Sequence, residues 1–130
     1  MANPNITAVT SILGNTTYYT PSGTSAVVLL TNAASSGHVF KVDQIVAANV
    51  TGTAATATVS IYTNGAVAQG SAPSGGTAYP ISYQITVPAN ASLIVTDKTT
   101  AFYLQEGTCI SVTSGTGSAI TYTVSYEDIS

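Results

Sequence analysis

Strict alternation of apolar and polar residues marks three stretches of the chain. In TATVSIY (56–62), Ala57, Val59 and Ile61 alternate with Thr58, Ser60 and Tyr62; in ISYQITV (81–87), Ile81, Tyr83, Ile85 and Val87 alternate with Ser82, Gln84 and Thr86. In AITYTVSY (119–126), Ile120, Tyr122, Val124 and Tyr126 alternate with Thr121, Thr123 and Ser125. A period of two sends one set to each face of an extended strand, so each stretch predicts a half-buried β-strand. Six further apolar runs predict strands at 6–12, 25–31, 38–50, 92–97, 101–105 and 109–113. In the run 38–50, Val42 and Ile45 are both apolar at an odd separation, which predicts a bulge or a change of sheet.

Turn residues punctuate these runs at Thr51-Gly52, Asn64-Gly65, Pro88-Ala89-Asn90, Asp97-Lys98, Glu106-Gly107 and Gly115-Thr116-Gly117. No stretch carries the helical period. The expected fold is all-β: an antiparallel sandwich, jelly-roll-like, of eight or nine short strands with no substantial helix. With 130 residues the chain makes one domain over 1–130, with 1–12 as an N-terminal arm. The Gly-, Ala-, Ser- and Pro-rich segment 64–80 is expected to be a long exposed loop.

Composition changes the picture of the surface. Only 5% of residues are charged, against roughly 25% in ordinary globular domains. The polar surface is therefore built from Thr, Ser, Asn and Gln, whose desolvation costs far less than that of ions, and such a surface suits a permanent homo-oligomer or assembly subunit. The only cations are Lys41 and Lys98. Phosphate-backbone binding requires several Lys or Arg on one face, so nucleic acid is not an expected partner. The densest apolar patch, AVVLL at 26–30, is strand-sized, and MANPNITAVT has neither the basic start nor the apolar centre of a signal peptide, so no membrane association is expected. Asn5, Asn15, Asn49 and Asn90 each open an Asn-x-Ser/Thr sequon and are read as structural.

The chemistry-bearing residues are few. A Ser-His-Asp arrangement would need His38, and its nearest acid, Asp43, would point to the opposite face of a regular strand. Zinc needs about four ligands, and one Cys and one His are not a start. Asp97 and Glu106 fall in expected turns, while Glu127-Asp128 reads as a solvated C-terminal tail. In YLQEGTCISV the Glu106-Gly107 pair reads as a hairpin turn requiring positive φ. Cys109 follows it, out of phase with Ile110 and Val112 and with no cation beside it to lower its pKa. No GxGxxG or P-loop pattern occurs. The expectation is a protein that is not an enzyme, with no catalytic, cofactor-binding or metal-binding residue.

MANPNITAVTSILGNT, KVDQIVAANVTG, VPANASLIVTDKTTAFYLQEGTCISV and the closing TVSYEDI together resemble small virion structural proteins of tailed bacteriophages, of the marine cyanophage type. Thr108-Cys109 departs from the pattern, which has an acidic residue followed by a small polar one there. The resemblance implies a sandwich with an assembly role on the particle exterior, made in the host cytoplasm. The expected role is a capsid decoration, or cement, protein that forms a small homo-oligomer such as a trimer and contacts the major capsid protein or neighbouring virion proteins. The expected contact residues are the arm from Asn3 to Thr10, including Pro4, Asn5 and Ile6, together with Tyr18, Tyr19 and Tyr79. The arm could equally serve as an edge strand, and the tyrosines as caps on the core. An alternative in another class is a neck, tail or fibre module that binds host-surface glycan. A third, a hydrolase or lyase, would depend on His38 or an acid pair.

Overall fold

In the computed structural model, which describes residues 3–130, the chain forms nine strands and one short 3-10 turn. The strands are β1 (Ile12–Tyr19), β2 (Val27–Asn32), β3 (Val39–Asn49), β4 (Ala55–Tyr62), β5 (Ala78–Val87), β6 (Ser92–Thr96), β7 (Phe102–Leu104), β8 (Thr108–Ser114) and β9 (Ile120–Ile129). They make two antiparallel sheets packed as a β-sandwich. The first has the order β1-β9-β3-β6, with β7 also pairing β3; the second has the order β2-β8-β4-β5.

Alternation builds the core. Ile120, Tyr122 and Val124 of β9 stand opposite Asn49, Ala47 and Ile45 of β3, and this row is buried against Leu29, Ala57, Val59, Ile110 and Val112 from the second sheet. The expected bulge in β3 is present: the register against β9 slips between Val42 and Gln44, which puts both Val42 and Ile45 in the core. Tyr122 is fully buried, and its hydroxyl donates to the Thr113 carbonyl at 2.5 Å.

Two buried asparagines tie the sheets together. Asn32, at the end of β2, donates from Nδ2 to the carbonyls of His38 (2.9 Å) and Leu104 (3.0 Å), and its Oδ1 accepts from Ser36 Oγ at 2.6 Å. Asn49, at the end of β3, donates to the carbonyls of Thr53 (2.8 Å) and Val87 (3.0 Å) and accepts from the Thr51 N–H and hydroxyl. Asn49 is the first residue of a sequon, and burial gives its amide a structural role.

Several expectations are corrected. The 6–12 segment is not a strand: Asn5 Oδ1 accepts from the Thr7 N–H at 3.0 Å and its hydroxyl at 2.8 Å, an Asx turn that bends the arm. The strand lies further on, at Ile12–Tyr19, where it pairs β9. Alternation in β5 is broken by two register shifts against β4 and by the positive φ of Gln84 (48°). Ser82 therefore stands opposite Val59 and Ile85 opposite Ala57, and only Val87 of the expected inward set is buried. Glu127 and Asp128 are not a tail: they lie in β9, opposite Lys41 and Phe40 of β3. Glu106-Gly107 is a turn with Gly107 at φ 75°, but it is not a hairpin, because β7 belongs to the first sheet and β8 to the second.

The 64–80 segment is exposed for most of its length but shorter than expected, since Ala78–Pro80 open β5. It is also fastened. The Val28 N–H donates to the Ser71 carbonyl (2.9 Å), the Gly70 N–H donates to Val28 (2.8 Å), and Gln69 Nε2 donates to the Leu29 carbonyl (2.8 Å) and Thr17 Oγ1 (3.0 Å). The segment thus covers the free edge of β2, which would otherwise present unpaired backbone groups.

Candidate functional site

His38 finds an acid, and it is not Asp43. Its Nδ1 lies 2.5 Å from Asp128 Oδ1, because β9 runs beside the start of β3. Both side chains are partly solvated. Ser36 is the nearest hydroxyl in sequence, yet its Oγ is engaged with Asn32 Oδ1 and the His38 backbone N–H. Among the described residues no hydroxyl or thiol is hydrogen-bonded to the far ring nitrogen of His38, so the pair lacks the nucleophile a triad needs. Lys41 lies 3.5 Å from Glu127 Oε2 and 3.9 Å from Asp43 Oδ1, a surface charge cluster. No group of three or more His, Cys, Asp or Glu that could hold a metal ion occurs among the described residues. Asp97 caps the 3-10 turn, and its hydrogen bonds from the Thr99 side chain and backbone hold its carboxyl below the usual range.

Cys109 is buried. It and Ser111 face away from the core lined by Ile110 and Val112, yet they are covered, as are Val28 and Ser60 beside them. The cover is the 63–77 segment. On that same face, Thr31 Oγ1 donates to the Gly65 carbonyl (2.6 Å), and the Tyr62 hydroxyl accepts from the Gly76 N–H (3.0 Å). Burial pushes the Cys109 thiol up to about 11, which removes it as a nucleophile near neutral pH.

Two grooves stand open. One, of about 190 Å³, is lined by Asn3, Pro4, Ile6, Val39, Tyr103 and Gln105, with Asn3 Oδ1 accepting from the Glu106 N–H at 2.9 Å. It brings together three of the expected arm residues, with Ile6 53% exposed, while Asn5 is spent on its own turn. The other, of about 240 Å³, lies between the β4 start and the β8–β9 turn, lined by Ala54, Ala55, Thr56, Thr86, Gly115 and Thr116. Neither groove contains a charged side chain.

The expected tyrosines do not converge. Tyr18 is 70% exposed on β1, with its register partner Thr123 on the outward side of the first sheet. Tyr19, its neighbour, is partly buried and packs on the core. Tyr79 is exposed on β5, at the far edge of the second sheet. All three lie in strands and none at a loop tip.

Sequence reasoning missed the surface around Tyr79. Along β5, Tyr79, Ile81, Tyr83 and Ile85 are all exposed. The chain carries no charged residue between Asp43 and Asp97, nor between Glu106 and Glu127, and β2 lies before the first charge. The second sheet and the segments 63–77 and 88–91 are consequently free of formal charge. That gap is visible in the sequence; the exposure of β5 depends on its place at the sheet edge and on the two register shifts, and is not. Comparison with family models, with curated proteins and with solved structures finds no match for this chain. No helix among the described residues is long and apolar enough to cross a membrane.

Proposed function

We propose that the chain is a non-catalytic structural subunit of a tailed-phage particle, a capsid decoration protein that stabilises the shell through contacts with copies of itself and with the capsid. The observation that carries this reading is the charge-free second sheet with exposed apolar side chains along its edge strand. Exposed apolar surface on a small domain marks a contact site, and here no charge must be stripped of water when it is covered. Binding to the assembled shell in preference to free capsomers then stabilises the shell by mass action.

The strand order supports a jelly-roll assignment within the sandwich. The chain crosses repeatedly between sheets ordered β1-β9-β3-β6 and β2-β8-β4-β5, as paired Greek keys rolled together would. Jelly rolls occur in viral capsid and lectin domains alike, so the fold supports the role only by analogy. The exposed tyrosines needed for a glycan platform are divided between β1, β5 and β7, which favours the assembly reading over a glycan-binding neck, tail or fibre module.

Quantitative mass spectrometry of purified virions tests the proposal. A copy number comparable to that of the major capsid protein is expected. A copy number lower by one or two orders of magnitude would move the protein to neck, tail or fibre, and absence from the particle would overturn the virion reading.

A further inference from the structure

Asn64-Gly65 is the one Asn-Gly pair in the chain, and each residue is required where it stands. Gly65 is buried, and a Cβ there would meet the Asn32 carbonyl oxygen and lie 2.8 Å from that of Thr108. Its own carbonyl accepts from Thr31 Oγ1 at 2.6 Å, which pins the start of the 63–77 segment to β2. Asn64 holds the returning half of the segment: its Nδ2 donates to the Ser74 carbonyl at 2.8 Å, and its Oδ1 accepts from the Ala66 N–H at 3.1 Å. The cover over Cys109 is thus anchored by the dipeptide in which an asparagine amide is least durable. Glycine places no side chain in the path of its own nitrogen to the neighbouring carboxamide.

Folding leaves this pair able to react. The bond from the Ala66 N–H to Asn64 Oδ1 closes a ring around the Gly65 peptide and keeps the carboxamide carbon folded toward the Gly65 nitrogen. The same donor draws electron density off that carbon, as donors aimed at a developing oxyanion do. Among the described residues the Gly65 N–H donates no hydrogen bond, so none has to break before its nitrogen attacks. Asn64 itself is only partly buried, and water reaches it. Asn5 makes the same kind of turn, accepting from the Thr7 N–H at 3.0 Å, but the residue after it is Ile6, whose branched side chain crowds the attacking nitrogen.

We propose that Asn64-Gly65 is a site of spontaneous deamidation, and that the reaction loosens the 63–77 segment over the second sheet. Hydroxide takes the proton from the Gly65 nitrogen, which attacks Asn64 Cγ. A bond forms between that nitrogen and Cγ, the bond from Cγ to Nδ2 breaks, and ammonia leaves. Water then opens the cyclic imide at either carbonyl, giving aspartate or isoaspartate with no oxidant or cofactor. Either product lacks the Nδ2 donor and leaves the Ser74 carbonyl without its partner. Isoaspartate also lengthens the main chain by a methylene directly before Gly65, whose seat between the Asn32 and Thr108 carbonyls has no slack. Both products put a negative charge into the stretch between Asp43 and Asp97, which has none. The cover over Cys109, Ser111 and Val28 then opens more often.

Ageing the full chain at pH 8, followed by peptide mass spectrometry, tests this. The mass gain of amide-to-carboxyl exchange is expected at Asn64, with Asn5 and Asn90 unchanged. Its rate in the folded chain should lie within about tenfold of that in the guanidinium-unfolded chain. Cys109 in the aged fraction should react with an aromatic disulfide about tenfold faster than in fresh protein, with unchanged circular dichroism. Asn64→Asp should show the same rapid labelling without ageing; where that variant folds poorly, the aged wild type, which reacts after folding, reads the same effect. Protection of Asn64 by far more than tenfold in the folded chain would overturn the proposal, as would equal modification of Asn5. So would an aged chain whose Cys109 labels no faster than before. None of these results bears on whether the protein is present in the virion, which copy number decides separately.

Discussion

His38 Nδ1 lies 2.5 Å from Asp128 Oδ1, a contact that spans 90 positions of sequence and joins the start of β3 to the end of β9. It is a fastening between neighbouring strands, with no nucleophile bonded to its far side among the described residues. Because both side chains are partly solvated, replacing His38 by Ala should lower stability by only about 1 kcal/mol. Urea unfolding measures that loss, and particle assembly with the variant should be normal. Loss of assembly with an intact fold would give His38 a role beyond the fastening.

The buried thiol makes a second prediction. With the Cys109 pKa pushed up to about 11 by burial, an aromatic disulfide reagent at pH 8 should label the folded chain at least a hundredfold more slowly than the urea-unfolded chain. Rapid labelling of the native protein would mean that the 63–77 segment opens readily.

Alkaline pH should destabilise the fold in a defined window. Cys109 rises from 9.0 to about 11 and Tyr122 from 10.0 to about 12, both through burial. For each, the folded state keeps its proton to higher pH than the unfolded state does. The contribution is therefore fully present below the lower value and is lost as pH climbs to the higher one. Unfolding midpoints should be unaffected by these two groups up to about pH 9 and then fall steadily toward pH 12. Ultraviolet titration of tyrosinate should show a late step near pH 12 that moves earlier once the chain is unfolded.

Gly65 sits where a side chain cannot. A Cβ there would meet the Asn32 carbonyl oxygen and lie 2.8 Å from that of Thr108. Gly65→Ala should cost about 2–4 kcal/mol, because backbone on two strands would have to move. The same variant should expose Cys109 to labelling, which ties the loss to this segment.

Asn49→Ala should cost about 2–4 kcal/mol, since it leaves the Val87 and Thr53 carbonyls and the Thr51 N–H without their partner inside the protein. Asn49→Asp tests the same site differently. It keeps the acceptor for Thr51 but turns a donor toward two carbonyls into a buried charge, and should be at least as damaging.

The sandwich was legible wherever one strand face is buried and the backbone regular. β9 and β4 follow their alternation, and even the β3 bulge could be read from the odd spacing of Val42 and Ile45. β1 was not legible, because its ILGNTTYY is an edge strand whose faces are largely solvated and carries no alternation to read. β5 misled in the opposite way: its alternation is clear, but two register shifts put Ser82 in the inward place opposite Val59, and Tyr79 and Ile85, though opposite Ile61 and Ala57, stay exposed at the sheet edge. A shift of one residue exchanges faces, and no local residue pattern announces it. Asp128 could not be matched to His38 for a related reason, since their meeting depends on which strands are neighbours. The candidate contact surface was half-legible: the absence of charge is plain in the sequence, whereas the exposure of Tyr83 and Ile85 is a property of the fold.

Asn32, from the end of β2, and Asn49, from the end of β3, reach across the sandwich, one from each sheet, Asn32 meeting the first sheet beside the start of β3. Apolar packing between sheets resists their separation but, having no direction, does little to stop one sliding over the other. A hydrogen bond weakens steeply when its donor and acceptor move out of line. The two side chains therefore act as rivets at two corners of a layered plate, and it is shear along the strands that they oppose.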